Sequence, residues 1–423
     1  MMYLKGGQII DPVEEEIYRA DLEIEDGRIR KILKEGGQAP KEAEVLEVPG
    51  LMIAPGLVDT HVHFRDPGFT YKEDILTGAR AAAAGGFTQV VLMANTKPCV
   101  DRKETLSYVL EKGKQTGIRI HSCATVTVGM KGQELTDMEE LAREGAVGFT
   151  DDGIPLLQEE LVRRAMEEAA RLQRPISFHE EDPAFITNNG IHAGKAAAFY
   201  GVKGSPREAE ISLIKRDLRL ALETGAEVVI QHISTKEGVA LVREAKKQGA
   251  RVHAEATPHH FTLTEEALIE KGTLAKMNPP LRTQEDRQAI LEGLQDGTID
   301  LIATDHAPHS REEKEKKITE APSGIIGLET ALPLGIRELV KKGYLTLPGL
   351  IRKMSTEPCR LYGLEGGRLM EGKPADLVVF DPEETYLVEH FLSKSANSPF
   401  IGEELPGVVH ATICAGRLVY HRK

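Results

Sequence analysis

Along the first fifty residues, apolar and polar positions alternate in short runs such as MYLKGGQIID, ADLEIEDGRIRKI and EVLEVPG, punctuated by Gly and Pro. A period of two with such punctuation predicts β-strands and turns. The pattern changes near Pro55-Gly56, and from there to about residue 345 short apolar runs alternate with helical stretches. The runs are Leu57–His61, Thr88–Met93, Arg119–Thr125, Ala146–Thr150, Pro175–His179, Glu227–His232, Arg251–Ala256 and Ile299–Asp305. Between them, Glu159–Gln173 places Leu161, Val162, Ala165, Met166, Ala169 and Leu172 on one face; Asp217–Thr224, Thr235–Gly249 and Gln284–Leu294 read similarly. Strands alternating with helices in this number predict an α/β fold, a (β/α)8 TIM-type barrel. An open doubly wound sheet is the competing arrangement, but no GxGxxG follows a strand.

After about residue 365 the strand-and-turn texture returns, in GRLMEGKPADLVVFD and GVVHATICAGRLVYH. The expected organisation is therefore a barrel over residues 55–364 and a small β-sandwich domain composed of residues 1–54 and 365–423. The charged run Arg311–Lys317 is read as a solvated loop.

Composition acts by exclusion. The chain has 423 residues, 41% hydrophobic and 28% charged, which rules out a disordered or fibrous protein. Its net charge of −13 argues against a nucleic-acid partner, and means that an anionic substrate needs a local cation. Cys99, Cys123, Cys359 and Cys414 lie far apart, form no CxxC pair, and read as reduced thiols. The first three are taken as small buried hydrophobes. With no basic and then apolar amino-terminal stretch, and no apolar run near the ~18 residues that cross a bilayer, a cytoplasmic protein without a membrane segment is expected.

The chemistry gathers at the ends of the predicted strands. His61 and His63 are two apart on a strand, so both imidazoles point the same way. HxH alone is a weak signal, matched by ordinary packed histidines. But Asp151-Asp152 close the fourth run, His179 the fifth, His232 the sixth and Asp305 the eighth. In a barrel all of these reach one mouth, where this fold builds its active sites. Imidazole and carboxylate without thiolate suit Zn²⁺, and the donors outnumber what one four-coordinate ion takes, so two ions are inferred.

These residues also carry a resemblance. HVHFRDPG, GGFTQVVLMANTKP, FTDDG, QHISTKE, ATPHHF, KMNPPLR, ATDHAPH and the terminal GxLxxGxxADLVVFD together resemble the dihydroorotase family of the amidohydrolase superfamily, over nearly the whole chain. More narrowly, they resemble its bacterial class in which aspartate takes the place of a carboxylated lysine. The resemblance implies His61, His63 and Asp305 on one zinc, His179 and His232 on the other, and Asp152 bridging together with a hydroxide. Asp152 is chosen over Asp151 by its place in the family's TDDG, because spacing alone does not decide. Asp305 would also be the general base and acid. Around the substrate the family places Arg65, Asn95, Asn278 and His309, with the backbone at Ser323-Gly324 and with His63. Arg65 suits a carboxylate, which its planar fork matches bidentately. Read without the resemblance, Asn95 and Asn278 stabilise turns, His309 is a loop histidine and Arg65 a surface ion pair. His259 and His260 are left as supporting or packing residues.

The departures from the family are Glu180 after His179, an extra carboxylate beside the metals; Phe64 for Leu; Ala94 for Pro; and Ser323 for Phe. The implied activity is reversible cyclisation of N-carbamoyl-L-aspartate to L-dihydroorotate in pyrimidine synthesis. One alternative is a hydantoinase, dihydropyrimidinase or allantoinase, which usually carry a carboxylated lysine where FTDDG stands; no lysine lies between Gly145 and Leu156. The other is an inactive scaffold for aspartate transcarbamoylase, which would have lost ligands that are all present here. A homodimer is the base-rate expectation, and an active enzyme still leaves room for a complex with aspartate transcarbamoylase. The segments 186–205 and 311–323 follow ligand-bearing strands and are the candidates to close over substrate.

Overall fold

The structure, a computed structural model, describes residues 1–34 and 36–422. Five strands open the chain: β1 (Met2–Asp11), β2 (Glu16–Glu25), β3 (Arg28–Leu33), β4 (Glu44–Glu47) and β5 (Met52–Pro55). Then come β6 (Leu57–Val62), β7 (Phe87–Leu92), β8 (Arg119–Ala124), β9 (Gly148–Thr150), β10 (Ile176–Phe178), β11 (Val228–Ile230), β12 (Val252–Ala256) and β13 (Leu301–Ile302). All pair in parallel and in chain order. The ring closes where the His63 N–H donates to the His306 carbonyl at 2.8 Å and Val62 bridges His306. Each of the eight apolar runs thus becomes a barrel strand. Burial on both faces, inside the barrel and under the helices, is why these strands read as continuous apolar runs.

The chain ends in β14 (Leu377–Leu387), β15 (Glu404–Cys414) and β16 (Arg417–His421). These join the opening strands in one sheet of order β16-β15-β14-β5-β1-β2-β3, with β4 on β1. Leu4, Ile9, Leu22, Ile24, Ile53, Leu377, Val379 and Ile413 form its separate core, drawn from both ends of the chain.

Helices follow their sequence signals closely. Glu159–Leu172 ends at Gln173 in the left-handed conformation, and Gln284–Asp296 starts from a Thr283–Asp286 capping box. One helix is longer than its pattern: the segment expected to start at Asp217 starts at Glu208. Its extra turns carry Glu210 on the buried face, bonded to the Ser234 N–H and hydroxyl, and that carboxylate breaks the apolar period. The run Arg311–Lys317 also departs from a solvated loop. Ser310 and Glu313 cap a helical turn over Arg311–Lys314, and Lys314 is buried, its ammonium donating to the carbonyls of Pro322 (3.0 Å) and Gly324 (3.1 Å).

Between β14 and β15, residues 393–397 bond to the loops that follow the first and last barrel strands. Ser395 Oγ donates to the Lys72 carbonyl at 2.7 Å, and Asn397 Nδ2 donates to the carbonyls of Ala307 and Gly324, each at 3.0 Å. Among the described residues no helix is long and apolar enough to cross a membrane.

Candidate active site

Alternation along β6 turns Asp59, His61 and His63 to one side, and the ends of β9, β10, β11 and β13 bring in Asp152, His179, His232 and Asp305. All of these are buried. His61 Nε2 lies 3.4 Å from Asp152 Oδ1 and 3.5 Å from Asp305 Oδ1; His63 Nε2 lies 3.4 Å from Asp152 Oδ2 and 3.0 Å from Asp305 Oδ1. His179 Nδ1 and His232 Nε2 each stand 3.8 Å from Asp152 Oδ1 and 2.9 Å from one another. Two tight groups result, His61·His63·Asp305 and His61·Asp152·His232, with His179 adjoining the second.

This donor set fits metal ions. Two donors each about 2.1 Å from one tetrahedral ion stand roughly 3.4 Å apart, which is the separation that Asp152 keeps from His61 and from His63. His61 Nε2, which faces Asp152 and Asp305, is buried with no hydrogen-bond partner. Burial alone would lower the pKa of His61, yet the Asp305 and Asp152 carboxylates hold it well above the usual histidine range. Asp305 shows the converse: against burial, His61 and His63 pull it down to about 2. The cluster is built to hold positive charge.

Asp151 and Asp152 separate cleanly. Asp151 accepts from the N–H groups of Val126 (2.7 Å) and Thr127 (3.2 Å) and from the Thr127 hydroxyl, tying β9 to the segment after β8. Of the two, it is Asp152 that faces the imidazoles.

Supporting groups lie behind the donors, and sequence reading missed several. Glu255 Oε2 accepts from His61 Nδ1 at 3.1 Å while its other oxygen takes the Thr60 hydroxyl at 2.7 Å. A carboxylate inside the apolar strand Val252–Ala256 was the available signal. Glu181 sits 3.1 Å from His179 Nε2. Asp59 accepts from the His61 and Thr304 N–H groups, joining the first and last barrel strands; burial raises its pKa to about 7.

The residues expected around substrate occupy one side of the cluster. Asn95 Oδ1 lies 2.9 Å from His63 Nδ1, and its Nδ2 donates to Asp152 at 3.2 Å, so it bears directly on two of the donors. Arg65 is half-buried, its Nε donating to the Pro308 carbonyl at 3.3 Å, and among the described residues it forms no ion pair. His309 Nε2 lies 2.9 Å from the Ser323 carbonyl and 3.4 Å from Arg65. Gly324 approaches so closely that a Cβ would meet the His309 ring at 2.6 Å, which requires glycine. Asn278 Oδ1 is buried without a partner. Gly190, in the 186–205 segment, packs against both Asn278 and Ser323. Arg65, His232 and Asp305 all have positive φ (59°, 33° and 48°), local backbone strain of the kind that concentrates at functional sites.

Glu180 does not face the metal ligands. It is buried against Asp217 and Arg216, and burial with the Asp217 charge raises its pKa well above the carboxylate range. His260 bonds Thr257 (2.7 Å) and the Pro279 carbonyl (2.9 Å), a supporting role. Phe64 packs edge-on to His306. Cys123, Cys359 and Cys414 are buried, but Cys99 is only half-buried.

A closed parallel barrel with imidazoles and carboxylates at its strand ends defines the class, an enzyme of amidohydrolase type. An L-hydantoinase from Arthrobacter aurescens superposes with TM-score 0.87 at 26% identity, over 99% of this chain and 96% of that one. A family model described as dihydro-orotase-like matches residues 50–238. A dihydroorotase of Clostridioides difficile is 53% identical over 421 residues, and one of Clostridium acetobutylicum is 49% identical over 425, each spanning all of both chains. A third, from Lactococcus lactis, is 48% identical over the full length. The chain belongs to the dihydroorotase family.

Proposed function

We propose that this enzyme interconverts L-dihydroorotate and N-carbamoyl-L-aspartate using two zinc ions. The observation that carries the substrate is Arg65: a half-buried guanidinium beside the His/Asp cluster, with no carboxylate of its own among the described residues. A ring bearing a carboxylate supplies the missing partner, whereas hydantoin or dihydrouracil leaves the cation unpaired in a poorly solvated place. That separates this reading from the hydantoinase alternative, and the complete donor set argues against an inactive scaffold.

His61, His63 and Asp305 would hold one ion, and His179 and His232 the other, with Asp152 between them. Such ions lower the pKa of water and polarise a carbonyl. The protein's own groups do the rest. Arg65, His309 and Asn278 would grip the carboxylate and ring, with the Ser323-Gly324 backbone along one edge. Glu255 and Asn95 keep the imidazoles of His61 and His63 oriented. In ring opening, Asp305 takes the proton of the attacking water and passes it to the ring nitrogen as the C–N bond breaks. The carbon gains the oxygen and the nitrogen the proton, so one water is consumed. At neutral pH the reverse reaction joins the carbamoyl aspartate dianion and one proton into the dihydroorotate anion and water, so lower pH favours the ring.

The test offers L-dihydroorotate, hydantoin, dihydrouracil and allantoin in parallel to metal-replete protein, with metals counted on the same sample. Turnover of dihydroorotate alone, with two zincs per chain, is the expected result; preference for an uncharged ring contradicts it. We also propose a division into residues 55–364 and the terminal segments 1–54 and 365–423. Mass photometry of the protein, alone and with aspartate transcarbamoylase, tests for the homodimer and for a complex.

A further inference from the structure

We propose that Lys72 is a positioning residue: its ammonium fixes His309 as the neutral tautomer whose proton sits on Nε2, the nitrogen beside Arg65. The substrate part of this inference rests on the dihydroorotase reading; the tautomer itself does not.

Lys72 Nζ lies 3.2 Å from His309 Nδ1 and is largely buried. An ammonium has three N–H donors and no lone pair, so it can only donate, and Nδ1 must be the acceptor. A neutral imidazole then carries its proton on Nε2, which donates to the Ser323 carbonyl at 2.9 Å. The competing partner for Nδ1 is Glu313 Oε2. It stands farther off at 3.5 Å and takes the Ser310 N–H, while the other Glu313 oxygen takes Lys72 (2.9 Å) and the Tyr71 hydroxyl (3.1 Å). Among the described residues, the charged groups facing His309 are thus the cations Arg65, Lys72 and Lys314, with Glu313 as the one carboxylate. Burial and these cations together keep the ring neutral.

The chain holds both partners in place from a distance. Residues 393–397 pin the Lys72 carbonyl through Ser395 Oγ (2.7 Å) and accept the His309 N–H on Asn397 Oδ1 (3.0 Å). The lysine and the histidine are therefore set against each other by one segment near the carboxyl end. A carboxylate entering beside Arg65 meets that same Nε2–H as a second donor once it replaces the Ser323 carbonyl as acceptor. Without Lys72, the ring's single proton is free to move to Nδ1 and face Glu313, which leaves Nε2 an acceptor, and that donor is lost.

The experiment uses metal-loaded holoenzyme labelled with ¹⁵N-histidine, as wild type, Lys72→Met and Lys72→Arg; the His309→Gln spectrum assigns the His309 signals. Wild type is expected to show Nε2-protonated His309 throughout about pH 6 to about 9, spanning the ordinary histidine range. In Lys72→Met the ring should titrate or change tautomer. KM for L-dihydroorotate should rise about ten- to a hundredfold, the range for one hydrogen bond to a charged group, while kcat falls less than about threefold. Lys72→Arg should restore both readings toward wild type. A Nδ1–H signal in wild type overturns the inference, even if Lys72→Met fails to fold. So does a Lys72→Met enzyme with unchanged tautomer and KM. Wild type that opens no dihydroorotate would overturn the function reading instead, and the imidazole signals would still decide the role of Lys72.

Discussion

Asp151 and Asp152 are neighbours in the chain with opposite allegiances: Asp151 binds the backbone of Val126 and Thr127, while Asp152 faces His61, His63, His179 and His232. Asp152→Asn should lose bound metal and about a thousandfold in kcat, several kcal/mol of lost metal action. Asp151→Asn should keep its metals and instead lose about 1–3 kcal/mol of stability through its broken hydrogen bonds. Metal analysis and thermal unfolding of the two proteins separate the roles.

Glu255 supports the site without touching substrate. Glu255→Leu removes the acceptor for His61 Nδ1 and strands the Thr60 hydroxyl. Metal affinity should weaken about 10- to 100-fold, as for other groups that orient a ligating histidine. Competition against a chromogenic chelator measures it.

Gly190 has φ of 73° and packs on Asn278 and Ser323, where a Cβ would fall inside contact distance of the Ser323 hydroxyl. Gly190→Ala should push the 186–205 segment off the substrate side, at a backbone cost of about 1–2 kcal/mol. Steady-state kinetics should show KM for dihydroorotate rising about tenfold, with metal content unchanged.

His121 gives the fold a share of its acid sensitivity. Burial, helped by Arg119, lowers its pKa to about 4, and its Nε2 donates to Gln89 at 3.0 Å. The unfolded chain protonates near 6.5 and the folded one only near 4, so the unfolded state binds more protons between them. Stability from this group is complete above about 6.5 and declines as pH falls toward 4, by up to about 3 kcal/mol. His121→Gln, which keeps a donor but cannot be protonated, should show a smaller drop in Tm from about pH 7 to about pH 5.

Much of this was legible in the sequence because barrel strands are buried on both faces. Runs such as Leu57–His61 and Glu227–His232 announce themselves, and the ligands sit at or just beyond their ends. The first turns of the helix Glu208–Thr224 were hidden because Glu210 occupies an apolar-face position, satisfied by Ser234 from another element. Glu180 looked like a metal neighbour by adjacency, but the backbone turns it toward Asp217. Lys72 and Asn397 gave no signal at all: their partner His309 lies 237 and 88 residues away, and only the closed fold brings the three together.

Whether Arg65 receives the ring carboxylate is read from kcat/KM for L-dihydroorotate and for dihydrouracil, in wild type and in Arg65→Met, both metal-replete. If Arg65 receives the ring carboxylate, the wild type strongly prefers dihydroorotate. Arg65→Met then loses about a hundredfold on that substrate, the scale of a charge-assisted pair, and little on dihydrouracil. An equal loss on both rings, or a wild type that prefers dihydrouracil, would mean that Arg65 does not receive the carboxylate.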